Sequence, residues 1–270
     1  MQAELTYIVR QDTKPYFESS ALTGGAPRVH FQTEQHSVPV EDMRTLSPPA
    51  GLDREGFELT RHRSAVTDLY DDDAIERTYN VELEVFLKAF TGADRVAIFD
   101  HTRRSDAPEG ARNPDGLRGP ANRVHVDYTV KSGPQRARDA LGANVVDDVL
   151  ARGGRIVQVN VWRPIKGPVQ RAPLALADAR SIAPDELIAT DQRFPDRTGE
   201  IYQLAYAEHQ RWFYAPEMEV DEVLLIKGWD SLDDGRARFT PHGAFVLAGS
   251  EDRPPRESIE TRTYLVFEPR

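Results

Sequence analysis

His125-Val126-Asp127 is the segment of this chain best suited to chemistry. In an extended segment, residues i and i+2 point to the same side, so an imidazole and a carboxylate there can close on one ion. A chain with seven histidines produces such a pair readily by chance, and the bland alternative is an ion pair on a strand surface. A second element strengthens the metal reading: in Thr240-Pro241-His242-Gly243-Ala244-Phe245, a lone histidine opens another extended segment. Two histidines and a carboxylate bind non-haem Fe(II) on one face and leave three positions open. His209 is the rival third ligand. Zinc accepts the same donors with a water, so the ligand types alone leave three readings: an iron oxygenase, a metal-dependent hydrolase or isomerase, and a small-ligand-binding protein without turnover.

An iron centre of this kind pairs with a 2-oxo acid, whose far carboxylate needs a fixed cation, and a guanidinium fork matches a carboxylate in two-point fashion. Arg256 follows His242 at a suitable distance, and Arg262 is the close competitor. Further polar residues are candidates for contact with a substrate. Asn160, Trp162 and Pro164 alternate along NVWRPI and share one face, while Val161, Arg163 and Ile165 take the other; the pattern does not say which face looks inward. Arg163 is therefore either a carboxylate-binding group or an outer ion pair. His209, Trp212 and Tyr214 precede a turn at Pro216 and either stack on a substrate or form a packed aromatic corner. Tyr128 adjoins Asp127. His101, Arg103 and Arg104 open a long segment, 101–123, rich in arginine, proline and glycine, that reads as a functional or mobile loop able to collect an anion.

The elements that must hold these residues are mostly extended. Segments 5–9 and 28–32 read as short strands, 47–60 as a polar connector, and the first sixty residues as an N-terminal extension packed on the body. Across 68–93, Leu69, Ile75, Tyr79, Leu83, Phe86, Leu87 and Phe90 recur at helical spacing, with Gly92 at a C-cap. Strands are predicted over 95–100, 124–130, 155–162, 174–178, 201–206, 222–229, 243–249 and 258–268, with one helix at 134–151. Many short strands with little helix between them predict a single, mainly β domain over 1–270, an antiparallel barrel or sandwich with flanking helices.

Composition narrows the function classes. The absence of cysteine excludes thiolate nucleophiles, iron–sulfur clusters and Cys-ligated zinc. A formal charge of -10 opposes nucleic acid and anionic lipid as partners. The expected partner is a small molecule, with a second copy of the chain in a homodimer as the other candidate. The charged N-terminus and the lack of any eighteen-residue apolar run predict a cytoplasmic protein. There is no GxGxxG or GxxxxGK[ST] fingerprint for nucleotides.

The blocks FDHTRR (99–104), VHVDYT (124–129), NVWRPI (160–165), HQRWFYAPEM (209–218), KGWDS (227–231), TPHGAF (240–245) and RESIETR (256–262), taken in this order, resemble the CmcJ/NvfI/AsaB family of hydroxylase- and desaturase-like proteins, within the Fe(II)/2-oxoglutarate-dependent dioxygenases. The resemblance runs from about residue 65 to the C-terminus. It implies a double-stranded β-helix, or cupin-like jelly-roll, core over 95–270, with iron at His125, Asp127 and His242. It further implies 2-oxoglutarate and O2 as cosubstrates, and hydroxylation, desaturation or rearrangement of a small molecule in secondary metabolism; the arginines of 101–123 and 256–262 add the expectation that this molecule bears a carboxylate.

Overall fold

A computed structural model describes residues 1–24, 27–114 and 116–269. Two antiparallel-dominated sheets face one another. The smaller runs in the spatial order Phe57–Arg61, Glu222–Asp230, Arg155–Pro164, Glu257–Phe267, Arg95–Ser105. The larger has ten strands, and its middle is the run Trp212–Tyr214, Leu174–Ala177, His242–Ala244, His125–Val126, Thr198–Leu204. This is the double-stranded β-helix that the family resemblance implies, with flanking helices.

The N-terminal sixty residues extend both sheets as well as packing on them. Gln2–Ile8 and Thr33–Asp42 pair at one end of the large sheet, Tyr16–Glu18 and Arg28–Val29 close the other, and Phe57–Arg61 is an edge of the small sheet.

Alternation sorts the small sheet into two chemically different faces. Val157, Val159 and Val161 pack with Val223, Leu225, Ile259 and Leu265 against Tyr79, Leu83 and Leu87 of the helical segment. That segment comprises a π turn, Ile75–Tyr79, and the helix Asn80–Thr91 ending at Gly92. Ile75, Tyr79, Leu83 and Leu87 recur every four residues and are all buried. Each leucine contributes about 1.5–3 kcal/mol by leaving water. The opposite face turns Gln158, Asn160 and Trp162 toward the large sheet. There Trp162 joins Leu174, Leu176, Phe213, Met218 and Leu224 in an apolar half of the space between the sheets, and the polar half holds the site below.

Several element boundaries differ from the sequence-based expectation. The segment 134–151 is two helices, Ser132–Leu141 and Ala143–Ala151, because Gly142 at φ 90° takes a backbone conformation that breaks the run. The expected loop 101–123 begins as strand: Arg95–Ser105 pairs with Glu257–Val266, with one register shift between Arg262 and Thr263, and a short hairpin, Ala111–Asn113 with Gly116–Arg118, follows. The strands expected over 124–130 and 243–249 shrink to His125–Val126 and His242–Ala244. Among the described residues no helix is long and apolar enough to cross a membrane.

Candidate metal centre

His125 and His242 are register partners on adjacent strands of the large sheet, so both imidazoles rise from one line across it. Their ring centroids lie 4.7 Å apart. Asp127 sits just beyond the end of the His125–Val126 strand, with Oδ1 3.4 Å from His125 Nε2. One ligand atom from each of the three residues lies within 4.8 Å of the other two. That span suits an ion with bonds of about 2 Å.

The remaining atoms of the three side chains are already engaged. His125 Nδ1 lies 2.9 Å from the carbonyl of Arg123, and His242 Nδ1 lies 3.0 Å from that of Thr240. A backbone carbonyl can only accept, so each Nδ1 carries the proton and each Nε2 offers its lone pair. Asp127 Oδ2 accepts from Asn160 Nδ2 at 2.8 Å and from Arg262 Nε at 3.2 Å. Oδ1 is thereby left to face the imidazoles.

The two clamping groups come from the facing sheet, where Asn160 and Arg262 are themselves register partners. Asn160 is held in turn by Gln158 Nε2 at 2.6 Å. Arg262 spends its other donors on Asp100, Thr102 and Glu260 at 2.6, 3.0 and 2.6 Å. One sheet thus supplies the three candidate ligands and the other fixes the carboxylate among them.

Electrostatics favour the same protonation states at Asp127 and His242. Burial alone would raise the Asp127 carboxyl, but Arg262 holds it well below the usual carboxylate range. Burial pushes His242 down, and repulsion from His125 adds to it. A carboxylate and neutral imidazoles are the forms that bind a divalent metal. Two N donors and one O donor with an open side suit non-haem Fe(II).

The two arginines proposed for a cosubstrate carboxylate separate by their partners. Arg262 is committed to Asp127 and to its three other acceptors. Arg256, 2% exposed, gives Nη1 to the Ala172 carbonyl at 2.7 Å and lies 5.7 Å from the Trp162 ring. Its Nε is buried without a partner, and among the described residues no carboxylate pairs with its guanidinium. Burial first, and then repulsion from Arg104, push it down to about 10. It is a buried cation lacking an anion.

Other sequence candidates lie elsewhere. Arg163 is on the outer face of its strand, where it donates to the Val220 carbonyl, approaches His62 and lies 5.6 Å from the Tyr79 ring. His101 and Arg103 share that outer side: His101 meets Thr261, and Arg103 binds the Leu69 carbonyl and Asp72. Strand alternation, which turns Arg104 inward, turns these two away. His209 is exposed and pairs with Glu186 at 2.8 Å. Trp212 and Tyr214 face away from the space between the sheets, packing on Tyr7 and Phe245 respectively, while the intervening Phe213 points in. Tyr128 packs with Trp229 and Tyr264 behind the site. Gln158 and Glu260 were missed by sequence reasoning. Their only signal was a polar residue in a strand where both neighbours are apolar or β-branched.

Comparison with known proteins gives a consistent picture. A family model described as an oxidoreductase/YMDC permease-like domain matches residues 5–267. The chain is 35% identical to the alpha-ketoglutarate-dependent dioxygenase phiK of a fungal species, over 86% of this chain and 84% of that protein. It is 33% identical to the hydroxylase/desaturase efuI of Hormonema carpetanum, over 91% and 88%. Among solved structures it is similar to the iron and alpha-ketoglutarate-dependent endoperoxidase NvfI, with a TM-score of 0.85 and 28% identity over 100% of this chain and 98% of that one; the Aspergillus novofumigatus sequence of that name is 31% identical over 90% and 87%.

Proposed function

This chain belongs to the Fe(II)/2-oxoglutarate-dependent dioxygenases of the hydroxylase/desaturase type, and from that premise we propose that His125, Asp127 and His242 hold the iron and that Arg256 receives the distal carboxylate of 2-oxoglutarate. The observation that carries the ligand assignment is the register pairing of His125 with His242, with every other polar atom of the triad already hydrogen-bonded.

When bound, iron with 2-oxoglutarate and O2 supplies an oxidant able to remove hydrogen from an unactivated carbon, with succinate and CO2 as coproducts. The protein's own residues do the positioning. The Arg123 and Thr240 carbonyls keep each Nδ1 protonated and each Nε2 free. Asn160 and Arg262 hold Asp127 so that one oxygen serves the metal. Arg256, seated beside Trp162, offers a two-point fork to a carboxylate. The apolar half between the sheets, from Trp162 to Leu224, excludes water from a reactive centre. Hydroxylation or desaturation of a small molecule in secondary metabolism is the reaction class that relatives of this type support.

The test is anaerobic Fe(II) binding followed by O2-dependent succinate formation. His242→Ala is expected to lose iron binding while the fold persists. Iron affinity like that of the wild type in this variant would remove His242 from the set and return His209 to consideration. Arg256→Ala is expected to raise the 2-oxoglutarate requirement by tenfold or more; an unchanged requirement would move that role to another arginine.

A further inference from the structure

Arg104 carries a charge that the reading above does not use. In the pairing of Arg95–Ser105 with the final strand, Asp100 meets Arg262, Thr102 meets Glu260 and Arg104 meets Ser258. Arg104 therefore lies in the inward-facing row that clamps Asp127. Among the described residues it forms no ion pair, and its Nη1 donates to the Gly119 carbonyl at 3.0 Å. The inner-row acids are engaged elsewhere: Asp127, Asp100 and Glu260 all bind Arg262. Burial lowers the Arg104 guanidinium below the ordinary arginine value; attraction to Glu260 opposes this, and repulsion from Arg262 and Arg118 adds to it.

Those neighbours also locate the group. Arg104 feels Glu260, Arg262, Arg118 and Asp127, so it stands between the metal ligands and the Ala111–Arg118 hairpin. Its hydrogen-bond partner Gly119 is exposed, whereas Arg256 lies beneath Trp162 at 2% exposure. Arg256 is thus the inner cation and Arg104 the one nearer solvent. A divalent ion and a doubly charged 2-oxo acid cancel each other and bring no net negative charge to Arg104. Arg104 is half-buried and its bond to Gly119 is open to solvent, so its remaining donors can be reached by an anion arriving from solution.

We infer that Arg104 receives an anionic group, a carboxylate, on the organic substrate, so that the enzyme selects acidic small molecules over their neutral counterparts. The inference rests on the iron and 2-oxoglutarate reading, since that reading assigns the inner cation to the cosubstrate. Arg104 reaches the substrate from the edge strand Arg95–Ser105 of the small sheet, on the side marked by exposed Gly119.

The test uses the complex with Fe(II) and 2-oxoglutarate, formed without O2 and followed by its charge-transfer absorption, in wild type and Arg104→Gln. The probes are benzoate and benzamide, alike in shape and different in charge. Wild type is expected to bind benzoate at least tenfold more tightly than benzamide. Arg104→Gln is expected to erase that preference while keeping the 2-oxoglutarate dissociation constant within twofold, and Arg104→Lys to restore part of it. An undiminished benzoate preference in Arg104→Gln, or no preference in wild type, overturns the inference. A tenfold loss of 2-oxoglutarate affinity in Arg104→Gln also overturns it, placing this arginine on the cosubstrate. Absence of the absorption band in wild type counts instead against the iron and 2-oxoglutarate reading.

Discussion

Replacing Asn160 by Ala tests whether the facing sheet sets metal affinity. In the folded protein Asn160 Nδ2 donates to Asp127 Oδ2 at 2.8 Å, and Asn160 Oδ1 accepts from Gln158 Nε2 at 2.6 Å. The first bond is charge-assisted and worth about 1.5–3 kcal/mol. Its loss leaves Asp127 held by Arg262 alone, through a longer contact of 3.2 Å, and free to turn Oδ1 away from His125. Groups that orient a ligand in this way typically control about 10–100-fold in metal affinity, or roughly 1.4–2.8 kcal/mol. The freed Gln158 amide costs stability in metal-free and metal-bound protein alike, so it cancels from a binding measurement. Anaerobic titration of wild type and Asn160→Ala with Fe(II), alongside Co(II) as an air-stable check, reads the effect directly. A dissociation constant within twofold of wild type, in a variant with an unchanged melting profile, would refute the argument that the second sheet positions the carboxylate.

Gly228 tests the same chain of contacts one step further out. A Cβ there would overlap Gln158 Oε1 and come within 3.2 Å of the Tyr128 ring. Gly228→Ala should therefore displace Gln158 from Asn160 and cost about 1–3 kcal/mol in chemical denaturation; if the cost is the same in a Gln158→Ala background, the clash is not its source. His101 predicts a pH dependence. Burial pushes its imidazole down from 6.5 to about 4, so the fold keeps it neutral where an unfolded chain would bind a proton. Stability from this group is complete above about 6.5 and is lost as pH falls toward 4, by about 3 kcal/mol at most. His101→Gln should flatten the acid limb of the stability curve, and a curve parallel to the wild type across that window would contradict the assignment.

The three proposed metal ligands were legible as a group because their signal is local. A His-x-Asp spacing on an extended segment needs no knowledge of the partner strand to place both groups on one side. The single histidine opening a later strand supplied the third donor, and its register partnership with His125 is what the sequence could not express. The arginines were harder. Spacing admitted both Arg256 and Arg262, and only the partners separate them: Arg262 is surrounded by Asp127, Asp100 and Glu260, while Arg256 has a carbonyl and a ring. One error and one open question share a physical cause. Segment 101–105 reads as loop, and the inward face of NVWRPI is ambiguous, because polar and charged side chains ordinarily mark solvent.

Here that association is reversed on the inner face of the small sheet. Along Arg155–Pro164 the valines form the outer face, toward a helix, and Gln158 and Asn160 form the inner one; both residues are fully buried. On the next two strands Glu260 and the half-buried Arg262 and Arg104 also face inward. Burying such a row in a sheet interior costs several kcal/mol per unpaired charge, so a strand carrying it would destabilise the fold unless each group met a partner. Most do, within the protein: Gln158 with Asn160, Asn160 with Asp127, and Arg262 with three carboxylates. The two that lack an acid among the described residues, Arg104 and Arg256, stand in the same row. Local pattern and global fold disagree along one face only, and that disagreement is what a site for anionic ligands requires.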